Sequence, residues 1–232
     1  MRVAIVGYGF VGKALHNALT EDVKIMTIDP ILGTSIDDLV PFQPQFTFLT
    51  LPTPMKKDGS QDISIIKNTF QELLDKNINS NIILKSPVTP DNLLHLKKSM
   101  EFIYNPEFLR EKSANSDFIN GNIILFGGSN NLCEEASNFY INYTLCKEKK
   151  HFITDLVTAS LVKYTINSFL ATKVIYFNQL KSLLDLSNSE ESWENFIKIV
   201  SSDNRIGNSH MSVPGHDRRK GFGGACFPKD IS

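Results

Sequence analysis

Cysteine is scarce in this chain: Cys133, Cys146 and Cys226 are the three among 232 residues. They are too few and too scattered for a disulfide framework or a CxxC-type metal site, and an odd count leaves at least one thiol unpaired. Excess charge of either sign is lacking as well, since 24 Lys+Arg face 25 Asp+Glu. A formal net charge of -1 gives no general positive field for nucleic acid or an anionic membrane. No apolar run approaches the roughly 20 residues of a membrane span. The apolar opening after Met1-Arg2 reaches Gly7 too soon for a signal-peptide core. The expectation is a cytoplasmic protein with no nucleic-acid partner, no membrane partner and no metal.

What is present is an ordinary globular composition, 41% hydrophobic and 21% charged, with enough length for a sizeable core. The first half alternates short β-branched runs with helical patterns, which predicts an α/β fold with a parallel sheet covered on both faces. Strands are expected near 3–6, 23–28, 46–51, 81–85, 102–104, 122–126 and 152–153, and helices near 12–19, 63–75, 92–99 and 131–144. From 155 to 185 neither Pro nor Gly interrupts an apolar repeat at helical spacing, so one long helix is expected, followed by a short one at 193–200. The remainder is polar loop sequence with a basic cluster at Arg218, Arg219 and Lys220. We therefore divide the chain at 1–153, 154–202 and 203–232.

Gly7, Gly9 and Gly12 form G-x-G-x-x-G between the first strand and the first helix. In that context the first glycine makes the tight turn, the second lets backbone approach a pyrophosphate, and the third lets helix pack on strand. The second strand ends at Asp29, placed to accept hydrogen bonds from a ribose 2′-OH and to repel a 2′-phosphate, so NAD rather than NADP is expected. Cys226 is flanked by glycines and followed by Pro228-Lys229-Asp230. A thiol at a helix N-terminus near basic residues has its thiolate favoured, which allows a nucleophilic role. Asp230, four residues on, would share its face. Cys133 and Cys146 read as buried apolar cysteines. Lys163 and Asn167 are spaced i, i+4 on the long helix, and by spacing alone a solvated helix face explains such a pair more readily than a site does. Glu107 and Glu111 are also four apart, after an Asn105-Pro106 suited to opening a helix, where carboxylates can simply complement the helix dipole.

Taken together, Gly7-Tyr8-Gly9-Phe10-Val11-Gly12, Leu51-Pro52-Thr53-Pro54, Asn105-Pro106-Glu107-Phe108-Leu109-Arg110-Glu111, Lys163-Tyr164 with Asn167-Ser168-Phe169-Leu170-Ala171, Arg205-Ile206-Gly207 and Gly221-Phe222-Gly223-Gly224-Ala225-Cys226-Phe227-Pro228-Lys229-Asp230 resemble the UDP-glucose/GDP-mannose dehydrogenase family. The glycine fingerprint is generic, whereas the glutamate and cysteine motifs in this order are specific. The resemblance implies a Rossmann-like NAD-binding domain of the 6-phosphogluconate-dehydrogenase-like superfamily. It also implies oxidation of the C6 alcohol of a nucleotide-sugar, UDP-glucose foremost, to the carboxylate with two NAD in turn, through a thiohemiacetal and a thioester on Cys226. By the same resemblance Lys163, Asn167 and Asp230 surround the reacting oxygen, Glu107 activates the hydrolytic water, and Glu111 lies near the nicotinamide. Gly7, Gly9, Phe10, Val11, Gly12, Asp29, Thr53 and Ser86 line the cofactor. Phe108, Leu109, Arg205, Phe222 and Gly223 contact substrate, Arg205 from the paired subunit of a homodimer built on the long helix.

Three departures from the family pattern stand out. Ser86-Pro87-Val88-Thr89-Pro90 replaces the usual Ser-Thr-Val/Ile-Pro, Ser160 stands where a glutamate is common, and a basic stretch lengthens the segment before Cys226. The second α/β domain that grips the nucleotide diphosphate does not follow the cysteine motif, so weak activity of the chain alone is expected. A catalytically silent NAD-binding and dimerisation module is the alternative expectation. A related dehydrogenase working without thioester chemistry is a third.

Overall fold

The computed structural model describes residues 1–146, 149–215 and 220–223. The β-branched and aromatic runs form strands β1 (Arg2–Val6), β2 (Lys24–Ile28), β3 (Phe46–Leu49), β4 (Asn81–Leu84), β5 (Ile103–Tyr104), β6 (Ile123–Gly127) and β7 (Lys150–Thr154). Between and after them lie α1 (Phe10–Ala18), α2 (Leu39–Phe42), α3 (Ser64–Asp75), α4 (Pro90–Lys97), α5 (Ala114–Asn120), α6 (Asn130–Tyr143), α7 (Leu156–Leu186) and α8 (Trp193–Ser201). The strands join one sheet in the order β2-β1-β3-β4-β5-β6-β7. The chain divides into two compact units, Met1–Lys163 and Tyr164–Ser232.

The sequence-based expectation of a parallel sheet fails at one place: β5 and β6 meet antiparallel through Tyr104 and Gly127, while all other neighbours are parallel. The apolar pattern fixes which face a strand buries, not its direction. With only two residues in β5, little local sequence could have given the direction away.

Alternation along the strands builds two core layers in the first unit. Val3, Ile5, Phe46, Phe48, Ile83 and Phe126 face the layer completed by α1, α5 and α6. Ala4, Val6, Leu49, Leu84 and Leu125 face α3, α4 and the start of α7. A Cβ on Gly127 would lie 2.6 Å from the Ala159 Cβ, so a glycine on β6 lets α7 seat its first turns closely on the sheet. In the second unit Phe177, Trp193, Met211 and Val213 form a separate core with Leu180, Leu184, Phe196, Ile197 and Val200 around it. No helix among the described residues is long and apolar enough to cross a membrane.

Candidate active site

Close packing requires glycine at two of the three positions of the loop. Gly7 has φ +91°, and a Cβ there would meet the Thr50 carbonyl oxygen at 2.6 Å. A Cβ on Gly12 would lie 2.4 Å from the Gly7 carbonyl oxygen, so only glycine lets α1 start this close to the loop. Around Gly9, at the α1 N-terminus, nothing lies within 4 Å of the Cβ position, which leaves backbone open to an approaching phosphate. Phe10 and Val11 begin α1, both half-buried.

Asp29 follows β2 directly. Its carboxylate accepts from the Tyr8 N–H at 2.7 Å and the Ile31 N–H at 2.9 Å, tying the glycine loop to the end of β2. Those backbone donors, helped by Lys13, hold its carboxyl below the ordinary value. An anionic acceptor therefore stands beside the glycine loop, where a ribose 2′-OH fits and a 2′-phosphate is repelled. The loops after β3 and β4 are joined by buried hydroxyls: Thr53 donates to the Pro87 carbonyl at 3.1 Å and Ser86 to the Leu51 carbonyl at 2.6 Å. Both sit at the carboxyl ends of strands, where an open α/β sheet binds its ligands.

Glu107 and Glu111 do not share a helix face. Residues 105–110 have no regular structure, Glu111 lies exposed in a 3₁₀ turn (Glu111–Ser113), and the helix opens only at Ala114. Instead Glu107 is ion-paired to Lys85, whose side chain is 1% exposed against 16% for the glutamate. Lys85 also donates to Asn105 Oδ1 at 2.7 Å and to the Tyr140 hydroxyl at 2.9 Å. Burial pulls the Lys85 ammonium below its ordinary value against the charge and hydrogen bond of Glu107, and burial drives the Tyr140 phenol well upward. Sequence alone assigns no site role to Lys85 or Tyr140, and it marks Asn105 only as part of a helix-opening pair and of the glutamate motif. The available signals were a lysine directly following the apolar β4 run and a tyrosine at helical spacing from Cys133 and Ala136 on the buried face of α6.

On α7, Ser160, Lys163 and Asn167 are all buried, so the solvated-face explanation of the Lys163 and Asn167 pair does not hold. The Lys163 ammonium lies 5.2 Å from the centre of the Phe108 ring, next to Glu107 in sequence, and Leu109 packs in the adjacent core layer. Ser160 donates to the Val88 carbonyl at 2.7 Å, so the residue standing in a usual glutamate position serves as a backbone tie.

In the second unit Arg205 is exposed and paired with Asp203 at 2.6 Å. Lys173 reaches from α7 to the Ile206 carbonyl at 3.0 Å, holding the turn that presents the arginine. The Gly221 N–H donates to the Asn178 side chain at 3.0 Å, which anchors the start of the Phe222-Gly223 stretch on α7. Cys226 and Asp230 lie outside the described residues, as do Arg218 and Arg219. Cys133 and Cys146 are free and buried, and burial pushes the Cys133 thiol up to about 11.

The family model for the NAD binding domain of the UDP-glucose/GDP-mannose dehydrogenase family matches residues 33–143, and that for the family's central domain matches 157–232. A UDP-glucose 6-dehydrogenase of Rickettsia felis is 36% identical over 193 residues, covering 79% of this chain and 41% of the relative. Its counterpart in Rickettsia prowazekii is 30% identical over 273 residues, covering 100% of this chain and 61% of the relative. The chain thus spans less than two thirds of these relatives. Among solved structures, a UDP-glucose dehydrogenase from Pyrobaculum islandicum aligns with TM-score 0.74 and 23% identity over 99% of this chain and 62% of its own. A ternary complex of GDP-mannose dehydrogenase from Pseudomonas aeruginosa aligns with TM-score 0.71 and 19% identity over 99% and 62%. At these identities the structures establish the shared fold.

Proposed function

Because the chain belongs to the UDP-glucose/GDP-mannose dehydrogenase family, we propose that it oxidises the C6 alcohol of a nucleotide-sugar, UDP-glucose foremost, to the carboxylate. The observation that carries this reading is the burial of Lys163 and Asn167, four residues apart on α7. A buried ammonium and a buried amide at i, i+4 suit a reacting oxygen far better than a solvent-facing helix.

The glycine loop and Asp29 fit NAD, which when bound accepts a hydride in each of the two oxidations. Lys163 supplies positive charge and Asn167 a hydrogen bond where the C6 oxygen becomes anionic. Cys226 adds its sulfur to the C6 aldehyde carbon, the carbonyl electron pair moving to oxygen, which takes a proton to give a thiohemiacetal. The second oxidation turns that into a thioester. Water then adds to the thioester carbon, the C–S bond breaks with its electron pair on sulfur, and Glu107 takes the water proton. Alcohol, water and two NAD⁺ thus become carboxylate, two NADH and three protons. Asp230 handles the proton of the C6 hydroxyl, Glu111 borders the nicotinamide, and Thr53 and Ser86 border the cofactor. Phe108, Leu109, Phe222 and Gly223 contact the sugar nucleotide, and Arg205 does so from the paired subunit.

We assign a homodimer to the exposed side of α7, where Phe169, Tyr176 and Leu183 recur every seven residues at 65%, 55% and 63% exposure. That interval is the period of a helix-on-helix seam. Free buried thiols at Cys133 and Cys146 suit a reducing compartment, and we assign the cytoplasm.

The test is NADH absorbance when the purified chain meets NAD and a panel of UDP- and GDP-sugars, with Cys226→Ala alongside. Two NADH per sugar, abolished by the substitution, is the expected result. Intact NAD binding without turnover on any sugar points instead to a silent NAD-binding and dimerisation module, and activity that survives Cys226→Ala removes the thioester.

A further inference from the structure

We propose that Lys85 is the positioning residue for Glu107: anchored by Asn105 and Tyr140 beneath the ends of β4 and β5, it holds the glutamate as the fixed carboxylate that takes the proton of the hydrolytic water. The inference rests on the role given to Glu107 above and extends it to three residues with no part in the mechanism so far.

An ammonium has three donors and no acceptor. Lys85 spends them on Glu107, on Asn105 Oδ1 at 2.7 Å and on the Tyr140 oxygen at 2.9 Å. Since Lys85 can only donate, the Tyr140 oxygen accepts from it, and the Tyr140 proton goes to Asn105 Oδ1 at 2.6 Å. Asn105 in turn donates through Nδ2 to the Leu125 carbonyl at 2.9 Å, which fixes its amide orientation against β6. Every hydrogen-bond direction in the cluster is thereby determined. The rings of Phe118 and Tyr140, with centres 5.2 and 5.6 Å from Nζ, close the remaining space around the cation.

A lysine buried to this degree keeps its charge only against a carboxylate. Glu107 sits in an irregular segment and so has no helix to set its rotamer, and the ion pair does that work instead. The pairing is asymmetric: the lysine is sealed, whereas the glutamate side chain keeps 16% of its surface open. A carboxylate pinned at one oxygen and reachable by water is the geometry a general base needs. An ion pair serving stability alone has no need of that opening.

The test uses the full chain with NAD and UDP-glucose, comparing the parent with Glu107→Gln, Lys85→Met, Tyr140→Phe and the double variant. Readouts are the sugar adduct on Cys226 by intact mass, the rate of acid release, KM for both substrates, and thermal unfolding. Glu107→Gln is expected to accumulate the thioester. Lys85→Met is expected to do the same, slowing acid release by about 10- to 100-fold with KM nearly unchanged. The double variant is expected to be no slower than Glu107→Gln and to melt above it, because no orphaned cation remains. Tyr140→Phe keeps the charge pair but loses an anchor, and an intermediate slowing is expected. Thioester trapping in Glu107→Gln with parent-like acid release in Lys85→Met overturns the inference and leaves the proposed function standing. Should Lys85→Met fail to fold, parent-like release in Tyr140→Phe overturns it in the same way. Absence of any adduct in Glu107→Gln overturns the role of Glu107 and the inference with it.

Discussion

Gly9 and Gly12 lie three residues apart in one loop, yet an added methyl group meets opposite surroundings at the two. At Gly12 it would strike the Gly7 carbonyl at 2.4 Å, and at Gly9 it would meet nothing within 4 Å. Gly12→Ala is therefore expected to lower stability by about 1–3 kcal/mol in urea unfolding, because neither the loop nor α1 can yield. Gly9→Ala is expected to melt with the parent while binding NAD at least about ten-fold more weakly by calorimetry. Equal NAD affinity in parent and Gly9→Ala would place the pyrophosphate elsewhere. Both glycines could be assigned from sequence because their motif joins a strand to a helix, a context readable from neighbours in the chain. Lys85 could not be assigned so easily, since its partners Asn105, Glu107 and Tyr140 are brought to it only by the sheet and α6.

The segment between β5 and β6 relies on few side chains to hold it. Asp117, on α5, accepts from the Arg110 backbone and guanidinium and from Ser113, and the arginine holds its carboxyl at about 2 against an ordinary 3.8. A carboxyl lowered on folding stabilises fully above its unfolded value and loses that contribution as pH falls through the folded one. The difference between parent and Asp117→Asn should therefore be about 1 kcal/mol at pH 7, since Arg110 is open to solvent, and should shrink to a small remainder by about pH 2 and vanish below it. Chemical denaturation at the two pH values checks it, and a pH-independent difference would argue for packing rather than charge. The expected helix beginning at Asn105-Pro106 misread this segment, because local start signals carry no information about the ion pair with the sequence-distant Lys85 that holds Glu107 in a loop. Long periodic elements were legible: α7 was foreseen within a residue at each end, from an uninterrupted apolar repeat. Its exposed seam yields a further expectation. Phe169→Glu with Leu183→Glu should lower the mass measured by light scattering toward the monomer while NAD affinity is kept, and an unchanged mass would move the interface elsewhere.

For the molecule as a whole, the division at Lys163 and Tyr164 separates a nucleotide-binding unit from one that holds the sole tryptophan, Trp193, in its core. NAD at about 100 times its Kd is expected to stabilise the first unit by about 2.7 kcal/mol. Hydrogen exchange of the β1 amides should slow by about 100-fold, and unchanged exchange would refute binding at the glycine loop. Trp193 emission separately follows the second unit. The α/β class and the places of the main strands and helices followed from composition and periodicity, whereas the strand order, the reversed pair β5–β6 and the buried polar cluster depend on contacts across the sheet. That cluster also constrains how the chain can change over generations. Lys85, Asn105, Glu107 and Tyr140 come from the ends of two strands, a loop and a helix, and replacing one strands a charge or a polar atom in the others. A lineage can abandon the arrangement only by altering two positions together or by passing through a less stable ancestor, so the network acts as a ratchet against drift.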